Sequence, residues 1–139
     1  MSLVAGTLVV VRGAGDLGTG CIVRLVRSGF RVVALEAPRP CAIRRTVCLS
    51  EAIYDGSATV EGVRAVRCAE LPSRWDALEV PILDDPEARL LARLAPTALV
   101  DAIVAKRNLG TRIDMAPVVV ALGPGFTAGR HAHAVVETN

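Results

Sequence analysis

Three glycines at GxGxxG spacing, Arg12-Gly13-Ala14-Gly15-Asp16-Leu17-Gly18, stand directly after the apolar run Thr7 to Val11. Glycines so placed can cradle a phosphate. The first permits a tight turn, the second lets a pyrophosphate approach the backbone, and the third lets a helix pack close to the strand. The helix that follows would offer unpaired N–H groups and a partial positive charge to an anion. Gly13, Ala14, Gly15, Asp16, Leu17 and Gly18 are thus the first candidate ligand-binding residues. Glu36, at the end of the next apolar run, is placed to accept hydrogen bonds from ribose hydroxyls. Beyond it Arg39, Arg44 and Arg45 could reach a 2′-phosphate or another anionic group. Asp16 is at odds with a phosphate: it either points away, caps the helix itself, or holds a cation that bridges to the ligand.

Two later loops add to this group. Ala105 to Thr111 carries the one lysine of the chain, Lys106, and one of two asparagines, Asn108, with Thr111 at its end. A mobile ammonium does what a planar guanidinium cannot, such as point-charge phosphate binding or proton transfer. Lys106 and Asn108 are therefore the candidates for a catalytic role. In the second loop, Gly123-Pro124-Gly125-Phe126-Thr127-Ala128-Gly129, the residues Gly123, Gly125 and Thr127 could form an anion nest or simply a Gly/Pro turn. His131 and His133 lack a firm third ligand, so no metal site is assigned. Asp101, within an apolar run, reads as a structural carboxylate with a partner. There is no Ser-His-Asp signature, no nucleophile elbow and no P-loop ending.

The elements that would position these residues alternate. A strand Thr7–Val11, a helix Thr19–Ser28 and a strand Arg31–Glu36 form a βαβ unit of ordinary length. Ser57–Val60 and Val63–Arg67 read as a hairpin across Glu61-Gly62. Then come a strand Val80–Leu83, a helix opened by Asp84-Asp85-Pro86, and strands Ala98–Val104, Pro117–Leu122 and His133–Glu137. The expectation is an α/β fold: a three-layer, Rossmann-like arrangement with a mostly parallel sheet and an inserted β-hairpin. Loops that follow parallel strands open on one edge, so the three candidate loops should meet there.

Composition agrees with that frame. The 139 residues suit one domain, 52% of them are apolar, and only 3% are aromatic. Val, Ala and Leu dominate, as in a sheet buried on both faces. No run approaches the ~20 apolar residues of a membrane span. No secretory signal precedes the four irregularly spaced cysteines, which are read as reduced thiols in a cytoplasmic protein. A net charge of +2, scattered arginines and few aromatics argue against nucleic acid as a partner. The last strand leaves room for a homodimer, and the absence of a closing helix suggests a chain truncated at its C-terminus.

The strings RGAGDLGTG, SGFRVVALEAPRPCAIRRTVCLSEAIYDG, TVEGV, VDAIVAKRNLGT, MAPVVVALGPGFTAG and HAVVETN resemble the accessory proteins of selenium-dependent molybdenum hydroxylases, the YqeB-type family. The resemblance runs from Val9 to Asn139. The family is related to the Rossmann domain of the XdhC/CoxF accessory factors. It implies maturation of a molybdenum hydroxylase, with that enzyme or its assembly machinery as partner. The implied ligand is a nucleotide or phosphorylated cofactor, NAD(P) or a nucleotide-linked molybdopterin. It also implies that Gly13, Gly15, Asp16 and Gly18, Arg44-Arg45-Thr46, Lys106, Asn108, Gly110 and Thr111, and Gly123, Gly125 and Gly129 belong to the site. Family members carry an acidic residue near Ala132 and continue past Asn139. The alternatives from the residues alone are an NAD(P)-dependent oxidoreductase and a non-catalytic nucleotide-sensing domain.

Overall fold

A computed structural model describes residues 7–138. The fold is mixed α/β, built on one eight-stranded sheet in the order β3-β4-β5-β2-β1-β6-β7-β8. The strands are β1 (Leu8–Arg12), β2 (Arg31–Glu36), β3 (Ser57–Val60), β4 (Val63–Arg67), β5 (Glu79–Asp84), β6 (Ala98–Asp101), β7 (Val118–Leu122) and β8 (Ala134–Val136). All neighbours are parallel except β3 and β4. That pair is the expected inserted hairpin, closed by Glu61 and Gly62, both at positive φ. Two such residues give the turn whose twist suits a two-residue hairpin loop.

The apolar runs are continuous because both faces of the sheet are covered. On one face Val9, Val11, Val32, Ala34 and Ile82 pack with Ile22, Val23 and Val26 of α1 (Asp16–Arg27). On the other, Val10, Val33, Leu35, Leu99 and Val119 pack with Ala88, Leu91 and Ala116. Each Val, Leu or Ile among them removed from water contributes roughly 1.5–3 kcal/mol. The two faces are covered differently. Helix α1 is 12 residues long, whereas α2 (Ala52–Asp55) and α3 (Leu91–Leu94) have four each. Turns and 3-10 segments supply much of the remaining cover, so helix content is low for the layered arrangement expected. None of the described helices is long and apolar enough to cross a membrane.

Three expected boundaries shift. Helix α1 starts at Asp16 rather than Thr19, with Gly15 as its N-cap. The helix expected from Asp84-Asp85-Pro86 does not form. The Asp85 carboxylate accepts the N–H groups of Arg89 and Leu90, while the Pro86 carbonyl accepts from Arg12. Helical partners are thus diverted to side chains, Ala88 takes a positive φ, and helix is delayed to Leu91. Strand β6 ends at Asp101 rather than Val104. Its last backbone bond runs from Ala102 N–H to Arg12 C=O, and Val104 then turns to φ 53°. Positive φ is unusual for a β-branched residue and ends extended pairing.

Candidate functional site

The first strand ends at the place where the sheet changes direction. From β1 the chain builds outward to β2 and β5, then crosses back to β6 on the other side of β1. The Gly-rich turn leaves the carboxyl end of β1 at this reversal. Gly13 N–H donates to Leu35 C=O at 2.8 Å. A Cβ on Gly13 would lie 2.9 Å from the Ala102 carbonyl, and one on Gly18 would lie 2.0 Å from the Gly13 oxygen. Nothing lies within 4 Å of a Cβ at Gly15. Gly13 and Gly18 are therefore demanded by packing within the protein, whereas Gly15 faces open space.

That space is a cavity of about 600 Å³, within the usual range for small-molecule sites. Its walls are the Gly-rich turn with Asp16 and Leu17, the segment 36–44, Ser50, and Ala102 to Val104. No side chain caps α1. Asp16 lines the cavity and pairs with Arg44, another lining residue, at 3.3 Å, both side chains being largely exposed. The amides of the first turn of α1 thus have no side-chain partner, and the helix dipole lies behind them. Glu36 also lines the cavity, but its two carboxylate oxygens accept the N–H groups of Ala14 and Ala37, each at 2.8 Å. It shapes the turn, and any ligand hydroxyl would share these oxygens.

Of the residues singled out from sequence, Gly13, Gly15, Asp16, Leu17, Glu36 and Arg44 meet at this cavity, with Arg39 beside them. Ala14 lies buried beneath the turn and Gly18 behind it. Arg45 turns elsewhere, its Nε 2.9 Å from Glu51 and its guanidinium over the Tyr54 ring. The hydrogen-bonded pair depresses the Glu51 carboxyl below its ordinary range.

The loop after β6 reaches the cavity through Ile103 and Val104, but Lys106, Asn108 and Thr111 do not line it. Lys106 is exposed, at φ 66°, with no hydrogen bond or ion pair among the described residues. Asn108 folds its own loop: its oxygen accepts from Gly110 and Thr111 N–H, and its amide donates to Thr111 C=O. Thr111 is buried and donates its hydroxyl to Asp101 at 2.6 Å. The loop after β7 packs onto this one, Gly125 lying against Arg107. Gly123, Gly125 and Thr127 also lie outside the cavity lining. The N–H groups of Gly123, Thr127 and Gly129 are taken by Val136 C=O, His131 Nδ1 and Ala132 C=O. His133 Nδ1 accepts from Val119 N–H. Among the described residues no group of three His, Cys, Asp or Glu could hold a metal ion.

Two important residues were not singled out from sequence. Arg12, 2% exposed, donates to Thr111 Oγ1, Pro86 C=O and Leu109 C=O. Its signal was a charge ending a buried strand, opposite Asp101 in register on β6. The other is Ser50, in the 3-10 turn Leu49–Glu51, which is 1% exposed. Nothing in its local sequence distinguishes it from a loop serine. Cys48 beside it is buried, and that burial raises its thiol above the ordinary range.

With this geometry in place, the chain can be set against known proteins. It is 52% identical over 135 residues to the uncharacterized protein YqeB of Escherichia coli (strain K12). The match covers 95% of this chain and 25% of YqeB, so the chain spans about a quarter of that relative's length. No family model and no solved structure matches the chain.

Proposed function

We propose that this chain binds a nucleotide or other phosphate-bearing cofactor in the cavity beside the Gly-rich turn. The observation that carries the reading is a helix N-terminus with no side-chain cap beside a cavity at the reversal point of a parallel sheet, with the Asp16 carboxylate on that wall paired to Arg44. Without the hairpin, the order β5-β2-β1-β6-β7-β8 has the pattern of a doubly wound dinucleotide-binding sheet. That pattern supports a Rossmann-like relationship, although helices are few. A 600 Å³ cavity has room for a mononucleotide or a phosphorylated pterin.

The resemblance to the accessory proteins of selenium-dependent molybdenum hydroxylases supplies the setting. In this reading the chain is part of a maturation factor that holds a phosphorylated, nucleotide-linked cofactor for such an enzyme. Calorimetric titration with ADP, NADH, NADPH and pyrophosphate tests the binding. Heat with ADP or pyrophosphate is expected, and silence toward all four refutes the reading. NADH or NADPH binding well ahead of ADP would favour an oxidoreductase, for which Glu36 at the end of β2 speaks. Deleting the gene should abolish a molybdenum hydroxylase activity, and normal activity in the deletion would refute the maturation role.

A further inference from the structure

Ser50 is the buried side chain whose polar atom has no partner among the described residues. It is 1% exposed, yet it contributes to the wall of the cavity beside the Gly-rich turn. Buried hydroxyls are nearly always hydrogen-bonded, and an unpaired one opposes folding. The position is no accident of a loose loop. Ser50 N–H donates to Ala14 C=O at 2.9 Å, and Leu49 N–H donates to Thr19 Oγ1 at 2.9 Å. Thr19 Oγ1 in turn donates to that same Ala14 carbonyl at 3.0 Å. Two bonds therefore fasten residues 49–50 to the Gly-rich turn and the first turn of α1, and the third ties those two anchors together. They hold Ser50 in the cavity wall with its hydroxyl buried and without a partner among the described residues.

We infer that Ser50 is a ligand-binding residue, donating its hydroxyl to an anionic phosphate oxygen held at the start of α1. This assignment rests on the phosphate reading above and adds a side chain to it. The other charged groups at the cavity fit. The carboxylate of Glu36 already accepts two amides, and that of Asp16 is matched by Arg44, so neither is left to compete for the hydroxyl. The backbone amides would hold the phosphate by charge and geometry, and Ser50, fastened to Ala14 beside them, would fix its rotation.

The test is Ser50→Ala, read by calorimetry with pyrophosphate and with ADP and by the thermal midpoint without ligand. Affinity for both probes should fall about 10- to 100-fold, the usual weight of one hydrogen bond to a charged acceptor. The ligand-free midpoint should stay level or rise, because an unpaired buried hydroxyl has been removed. Ser50→Cys, which keeps the shape with a weaker donor, should bind between the two and guards against a folding defect in the alanine variant. Equal affinity in wild type and Ser50→Ala overturns the assignment of Ser50 alone. A lower ligand-free midpoint for Ser50→Ala also overturns it, since the hydroxyl would then serve the fold. Silence of the unaltered chain toward both probes overturns the phosphate reading and this assignment with it.

Discussion

Replacing Gly18 with alanine should disrupt the turn that shapes the cavity, although alanine is the better helix former. The added Cβ would lie 2.0 Å from the Gly13 oxygen and 2.9 Å from its carbon. Carbon and oxygen normally approach no closer than about 3.3 Å, so the shortfall is about 1.3 Å. Both colliding atoms are backbone, and the Ala102 methyl stands 3.4 Å away. The Gly13 peptide cannot simply swing aside, because its N–H is bonded to Leu35 C=O. Overpacking of this kind costs about 1–3 kcal/mol and occasionally more, against roughly 1 kcal/mol gained from helix propensity. The Gly13 backbone on one side and the Ala102 methyl on another place Gly18→Ala at the upper end, a net loss of about 2–4 kcal/mol. For a chain of this size that lowers the thermal midpoint by about 6–16 °C. Gly20→Ala is the internal control. Gly20 lies in the same helix with nothing within 4 Å of its Cβ, so its midpoint should rise by a few degrees. Circular dichroism melts of the two variants side by side decide the matter. A Gly18→Ala midpoint equal to wild type would refute the claimed contact between turn and helix.

Arg12→Met should destabilise by about 3–5 kcal/mol, because it removes the donor shared by Thr111, Pro86 and Leu109 at a buried site. Arg12→Lys should recover little of this, since an ammonium lacks the planar fork that reaches all three acceptors; urea titration of both variants is the check. Glu51, held below its ordinary range by Arg45, stabilises the fold above the carboxylate range and loses that contribution as pH falls through its lowered folded value. Stability measured at neutral and at acid pH should therefore drop slightly less for Glu51→Gln than for wild type, and an equal drop would sink the assignment. Cys41 is exposed, while burial raises the thiols of Cys21, Cys48 and Cys68, so iodoacetamide should label Cys41 first in the folded chain. Mass mapping that found Cys48 labelled as fast would contradict its placement.

The strands were legible because their signal is a continuous apolar run, and the hairpin because Glu61-Gly62 separates two β-branched segments. The Gly-rich turn was legible for the same local reason: its spacing reflects contacts with Ala102 and within the turn itself. What failed to show was decided at long range. The missing helix after Asp85 follows from Arg12, 74 positions away, taking the Pro86 carbonyl. The loops after β6 and β7 were expected to join the first at one edge, but they spend amides on Asn108, His131 and neighbouring carbonyls. Ser50 was invisible because its importance lies in what surrounds it, not in its neighbours along the chain.

The buried guanidinium at the end of β1 has a mechanical meaning. Its acceptors belong to the segments that leave β5 and β6, which lie on opposite sides of β1. Spreading the two wings of the sheet would strip a permanently charged group of its acceptors where water cannot replace them. The wings must therefore move as one piece. Segment 37–44, tethered through surface contacts of Tyr54 with Pro40 and of Arg44 with Asp16, is the more yielding boundary of the cavity. On the binding reading proposed above, a guest would enter and leave at this rim rather than by parting the wings.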